Sequence, residues 1–160
     1  MTRRARAVAV AVQRATRAAG VPPAARLTRW ALAALARKTR GELTVRVVGR
    51  GESAALNARY RGKRGPTNVL SFPAGGGEPG AAKSRELLPL GDVVICASVV
   101  AREAREQGKT LAAHWAHMVI HGTLHLQGYD HENPRDAAAM EARERALLAG
   151  LGFPDPYSIK

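Results

Sequence analysis

Leu90-Gly91-Asp92-Val93-Val94-Ile95-Cys96 is the stretch on which the fold turns. Its apolar run reads as a strand with Gly91-Asp92 at the mouth, and from about Ser98 the pattern becomes that of a helix. Upstream, strands and helices alternate. Val8, Val10 and Val12 alternate with small residues and suit a first strand. Gly20-Val21-Pro22-Pro23 breaks the chain, and Leu27, Trp30, Leu32 and Leu35 fit a helix that closes before Gly41. Residues 43–48 read as a strand with Leu43, Val45 and Val47 on one face, and residues 52–60 as a short helix. The basic loop Arg61-Gly62-Lys63-Arg64-Gly65-Pro66 leads into Thr67-Asn68-Val69-Leu70-Ser71-Phe72-Pro73, a strand stopped by proline. Downstream only helices follow: 98–107 stopped at Gly108, 110–127 stopped at Gly128, and 134–149 ending near Gly150. This order predicts an α/β (α+β) fold in one domain over residues 1–160, a single mixed β-sheet of about four strands covered by about five helices.

The bulk properties narrow the function classes. A chain of 160 residues, 46% of them hydrophobic, is long enough to bury a core. With aromatics at 4%, that core is built mainly from Ala, Val and Leu. The formal charge of +12 favours polyanions such as RNA or an acidic membrane surface. All of the excess sits early: residues 1–64 carry sixteen Lys/Arg against Glu42 and Glu52. The single cysteine, Cys96, excludes an intramolecular disulfide and reads as a small core residue. No apolar run approaches the roughly 20 residues that span a bilayer. Residues 7–12 faintly resemble a signal-peptide core after Arg3, Arg4 and Arg6, but Gln13 and Arg14 end it early, so a cytoplasmic location is expected. Residues 74–82 are Gly-rich and read as a surface loop. They are no phosphate-binding loop, because Ala81 and Ala82 stand where Lys and Ser/Thr are needed.

All five histidines fall between His114 and His131. His117, His121 and His125 are four apart, so a helix lines them along one face. Two imidazoles at i and i+4 reach one metal ion, and a third ligand needs a bend in the chain. Gly128 permits that bend and returns His131 toward the ion. The expected ligands are therefore His121, His125 and His131. Three protein ligands leave a fourth position open, which is the catalytic type of zinc site. Zn2+ is the expected ion, although imidazole also suits nickel, copper and iron. The spacing overlaps the H-E-x-x-H-x-x-G-x-x-H pattern of zinc proteases, but Gly122 stands where the general-base glutamate belongs. Glycine there is expected to open space beside the metal. His114 and His117 read as partners of the ligands, substrate contacts, or ordinary exposed or packing residues. Trp115, Met118, Val119 and Leu124 read as the buried stripe of the helix.

The stretch from His114 to His131 resembles the signature of the YbeY family, bacterial rRNA maturation factors described as metal-dependent endoribonucleases. Tyr60-Arg61-Gly62-Lys63, residues 67–73 and residues 90–96 match in the same order, and the resemblance runs from about 41 to Asp155-Pro156-Tyr157. It implies a mixed α/β fold, one zinc ion on His121, His125 and His131, and a catalytic part for His121 and for Arg61. It also implies a single-strand-specific endoribonuclease acting in maturation of small-subunit (16S) rRNA and ribosome quality control. The partners it suggests are rRNA in the small ribosomal subunit, small-subunit ribosomal proteins and assembly GTPases, with no membrane.

Arg61 keeps its charge and offers a fork suited to a phosphate. Arg59, Lys63 and Arg64 are the expected contacts to the RNA backbone. No general base is named by the pattern: Asp130 and Glu132 are near in sequence, and Asp130 suits orienting a ligand histidine. A non-catalytic, zinc-containing rRNA-binding assembly factor would use the same ligands, and a zinc protease stands behind both.

Overall fold

The computed structural model describes residues 8–74 and 88–158. Arg3, Arg4 and Arg6, and residues 75–82 of the Gly-rich stretch, lie outside the described residues. The elements run β1 (Val8–Arg14), α1 (Ala24–Ala34), β2 (Gly41–Val48), α2 (Arg50–Arg61), β3 (Val69–Pro73), β4 (Pro89–Cys96), α3 (Ala97–Gln107), α4 (Leu111–Leu126) and α5 (Pro134–Gly150). The four strands form one mixed sheet in the order β1-β2-β4-β3. β1 and β4 flank β2 in parallel, with Val45 opposite both Val12 and Val93. β3 runs antiparallel to β4, Leu70 opposite Val94.

β2 and β4 are central strands with cover on both faces, so their burial does not alternate. Leu43, Val45 and Val47 are fully buried on one side, while Thr44 and Val48 are also buried. On the first face, Val93, Ile95 and the odd-numbered residues of β2 pack on Leu27 and Trp30 of α1, Trp115 and Val119 of α4, and Met140 and Leu148 of α5. The second face is smaller: Val48, Leu70, Val94 and Cys96 meet Val99, with Leu56 of α2 against them. Cys96 is thus a buried free thiol, as its neighbours in sequence imply. Among the described residues no helix is long and apolar enough to cross a membrane.

α4 is the element that carries the site. Thr110 caps it, its Oγ1 accepting from the Ala113 N–H at 3.1 Å. Residues 113–120 are buried all round, which marks an interior helix rather than an amphipathic surface one. Trp115, Val119, Ile120 and Leu124 are each about 1% exposed or less, and burying such side chains stabilises by roughly 1.5–3 kcal/mol each. The C-terminal end is tied to the end of α1. Gln127 donates from Nε2 to the Ala34 carbonyl at 2.7 Å and accepts at Oε1 from the Ala36 N–H at 2.8 Å.

Candidate metal centre

His121 and His125 project from the last turns of α4, their ring centroids 5.4 Å apart. The helix then stops, with Gly128 at φ +99°, a conformation open to glycine and costly for any residue with a Cβ. Gly128 N–H donates to the His125 carbonyl at 3.0 Å and Tyr129 N–H to the Leu124 carbonyl at 3.2 Å, closing a tight reversal. His131 returns to the helix, its centroid 5.0 Å from that of His125 and 5.6 Å from that of His121. One ring nitrogen from each of the three lies within 4.8 Å of the others, near enough to share one ion.

The chemistry of the donor set fits a borderline-soft divalent cation. His125 Nε2 faces His131 Nδ1 at 3.2 Å, so two nitrogens converge on one space, an arrangement that suits a cation with both as donors of electron pairs. Burial lowers the pKa of His125, and the neighbouring His121, His131 and Arg61 lower it further. The neutral imidazole, the form that binds metal, is thereby favoured at neutral pH.

A carboxylate absent from the sequence reading stands behind the histidines. Glu144 of α5 is fully buried, between Met140 and Leu148 on the inward face of that helix. Its Oε2 accepts from His121 Nδ1 at 2.7 Å and from His117 Nε2 at 3.1 Å, and its Oε1 accepts from the Tyr157 hydroxyl at 2.5 Å. Burial disfavours the charged carboxylate, but the bonds from His117, His121 and Tyr157 outweigh it and hold the pKa at about 2. Burial and the adjacent carboxylate push the Tyr157 hydroxyl well above its ordinary value, so it stays a donor. The one available signal is that position 144 falls four residues from Met140 and four from Leu148, a charge in an apolar stripe.

The three histidines open onto a cleft of about 650 Å³ whose other walls are Tyr60, Arg61, Asn68 to Phe72, Asp130 and Glu132. Arg61 ends α2, which Gly62 caps by donating to the Ala58 carbonyl at 3.1 Å. The loop beyond is fastened from within: buried Ser53 exchanges bonds with Thr67, and Asn57 Nδ2 donates to the Gly65 carbonyl at 2.9 Å. Arg61 therefore enters the cleft from a braced turn. Arg59, Lys63 and Arg64 are exposed nearby but do not line the cleft. Arg59 lies against the ring of Tyr60, 5.2 Å from its centroid.

Two sequence expectations are corrected, for Gly122 and Asp130, and the alternatives for His114 and His117 are narrowed. Gly122 does not open space beside the metal: a Cβ there would stand 2.5 Å from Val93 Cγ1 and 2.9 Å from Val69 Cγ2, so the sheet fills that side. Of the alternatives for His114 and His117, the packing and ligand-partner readings hold and the exposed and substrate-contact ones do not. Both histidines are buried, and each bonds a carboxylate through Nε2, His114 to Glu103 at 2.8 Å and His117 to Glu144. Asp130 holds the backbone rather than the ring of His131, its Oδ1 accepting from that residue's N–H at 2.7 Å. The buried stripe of Trp115, Met118, Val119 and Leu124 is present as expected.

Comparison with known proteins gives one consistent result. The sequence profile of the family described as Endoribonuclease YbeY matches residues 14–152. Proteins named Endoribonuclease YbeY include one from Xanthomonas axonopodis pv. citri, 55% identical over 150 residues, spanning 93% of this chain and 92% of that one. Another, from Methylococcus capsulatus, is 56% identical over 148 residues, covering 91% and 93%. A third, from Stenotrophomonas maltophilia, is 52% identical over 159 residues, covering 99% and 98%. A Thermotoga maritima protein solved in solution shares the fold, with a TM-score of 0.53 and 23% identity over 92% of this chain and 99% of that one.

Proposed function

The chain belongs to the YbeY endoribonuclease family, and on that premise we propose that it is a zinc-dependent hydrolase cutting unpaired RNA during maturation of small-subunit rRNA. The observation that carries the reading is the meeting of His121, His125 and His131 with Arg61 in one cleft. On this reading the three imidazoles hold the ion, and the ion supplies Lewis acidity toward a phosphate oxygen or a water.

The remaining work falls to the chain's own groups. Arg61 presents a planar fork that takes two phosphate oxygens at once, holding the scissile group against the histidine cluster. Its fixed charge also stabilises the negative charge that builds up during phosphoryl transfer. Arg59, Lys63 and Arg64, exposed around the mouth, grip neighbouring phosphates without reading bases, so binding weakens as salt rises. Half-buried Val69 and buried Leu70 give the cleft apolar lining on the sheet side. The setting on this reading is cytoplasmic, at the small ribosomal subunit, beside ribosomal proteins and assembly GTPases.

A protease reading finds no support at position 122, where the contact with Val93 leaves no room for a glutamate. Zinc content and cleavage of a 16S rRNA fragment, measured on wild type, chelator-stripped protein and His125→Ala, test the proposal. Cleavage that follows metal content is the expected outcome. RNA binding without cleavage in every form overturns the enzyme in favour of a non-catalytic assembly factor.

A further inference from the structure

We propose that Glu144 is the positioning residue for His121, and that Tyr157, reaching back from the C-terminal end, holds Glu144 in place for that task. The inference rests on the reading that His121, His125 and His131 bind one ion, and concerns what sets the first of those rings.

An imidazole has two nitrogens and, when neutral, one proton. Glu144 Oε2 takes the bond from His121 Nδ1 at 2.7 Å, so the proton sits on Nδ1 and the lone pair is left on Nε2. That bond fixes the tautomer and the ring's rotation about its Cβ together. His125 has no such carboxylate partner among the described residues, its ring bonding only to His131. The three imidazoles are therefore not equivalent, and His121 is the one set in advance.

Glu144 itself is hard to explain as packing. A buried carboxylate loses several kcal/mol of hydration, and an apolar side chain between Met140 and Leu148 would avoid that loss. Among the described residues no lysine or arginine forms an ion pair with it; its ion-pair partners are His117 and His121. Both oxygens are nonetheless satisfied, by His121, His117 and Tyr157. Tyr157 is held in turn. Its N–H donates to Asp155 Oδ1 at 2.8 Å, Asp155 also pairs with Arg145, and the Arg145 guanidinium lies 5.3 Å from the Tyr157 ring centroid. Residues 155–157 thus clip onto α5 at Glu144 and at its neighbour Arg145.

The fold contains its own control. Glu103 of α3, half-buried and also accepting from Asn68 Nδ2, bonds the buried His114 at Nε2 at 2.8 Å, a second acid–imidazole pair on α4 with no member of the metal cluster in it. If any such pair merely stiffens α4, the two are interchangeable. If Glu144 acts through His121, they are not.

The test measures zinc affinity by competition with a chromophoric chelator, and ¹⁵N spectra of the histidine rings in chelator-stripped full-length protein. Glu144→Gln, Tyr157→Phe, Glu103→Gln and His125→Ala are compared with wild type. Glu144→Gln is expected to weaken zinc binding by about 10- to 100-fold, with Tyr157→Phe weaker in the same direction and Glu103→Gln unchanged. In the metal-free wild type His121 is expected as the Nδ1–H tautomer, with mixed tautomers in Glu144→Gln. Should Glu144→Gln fail to fold, Tyr157→Phe and the wild-type tautomer decide. An Nε2–H tautomer in the wild type, or wild-type affinity in both Glu144→Gln and Tyr157→Phe, overturns the proposal while leaving the metal site intact. A wild type that binds zinc no better than His125→Ala overturns the metal reading and this one with it.

Discussion

Gly122 of α4 lies against Val93 of β4 so closely that a Cβ on the glycine would stand 2.5 Å from Val93 Cγ1. The Gly122 carbonyl also accepts from Ser71 Oγ at 2.8 Å, stitching the helix to β3 at the same level. The helix bearing His121 and His125 is thereby seated at a depth that only glycine permits. Gly122→Ala is expected to cost about 1–3 kcal/mol through overpacking. It should appear as a lower urea midpoint at unchanged slope, with weaker zinc binding because both rings ride on the displaced helix. A variant as stable as wild type would show that the sheet yields at no cost.

Gly128 acts through its backbone conformation instead, since nothing lies within 4 Å of a Cβ built there. Its φ of +99° makes Gly128→Ala unfavourable by about 1–3 kcal/mol. The expected result is a protein that keeps its helices by circular dichroism but binds zinc more weakly, because His131 no longer returns to the cluster. Unaltered zinc affinity in Gly128→Ala would count against the bend as the device that completes the site.

Arg61→Lys keeps the charge and loses the fork. If the guanidinium grips the scissile phosphate, cleavage falls by about 100- to 1,000-fold, the range for removing one stabilising donor. Zinc content stays at the wild-type level. A variant cleaving at the wild-type rate removes Arg61 from the chemistry.

Burial lowers the pKa of His114 from 6.5, the bond to Glu103 opposing the shift only in part. The folded protein thus binds fewer protons than the unfolded chain below pH 6.5, so this contribution is present in full above that value and is lost as the pH falls beneath it. Glu144, held at about 2 instead of 4.5, follows the same sign in a more acid window, below about pH 4.5. The melting temperature of chelator-stripped wild type should therefore fall between pH 7.5 and pH 5.5 by more than that of His114→Gln. Equal falls would mean that His114 titrates normally.

The sheet, the helices and the histidine triad were readable because each has a local signature. Val93-Val94-Ile95 announces a buried strand, Gly108 and Gly128 stop helices, and His121, Gly128 and His131 lie within eleven residues. Glu144 has no such signature. Its partners lie 23 and 27 residues back and 13 ahead, brought together only by the packing of α5 on α4. The role of Gly122 was misread for a related reason. Whether a missing side chain leaves room or admits a neighbour depends on the distance between two layers, a quantity that periodicity along one helix does not contain.

β3 ends the sheet: among the described residues it has β4 on one side and no strand on the other. Backbone groups along an open edge pair with an arriving chain, although the Val69 N–H is already bonded to Asn68 Oδ1 and Pro73 has none, and Asn68 to Phe72 are walls of the cleft. A ribose-phosphate chain laid beside that border meets peptide groups, which are the same whatever bases hang from the sugars. The enzyme would then choose where to cut by which stretch of a folded transcript can be drawn out straight, and only weakly by the letters written on it.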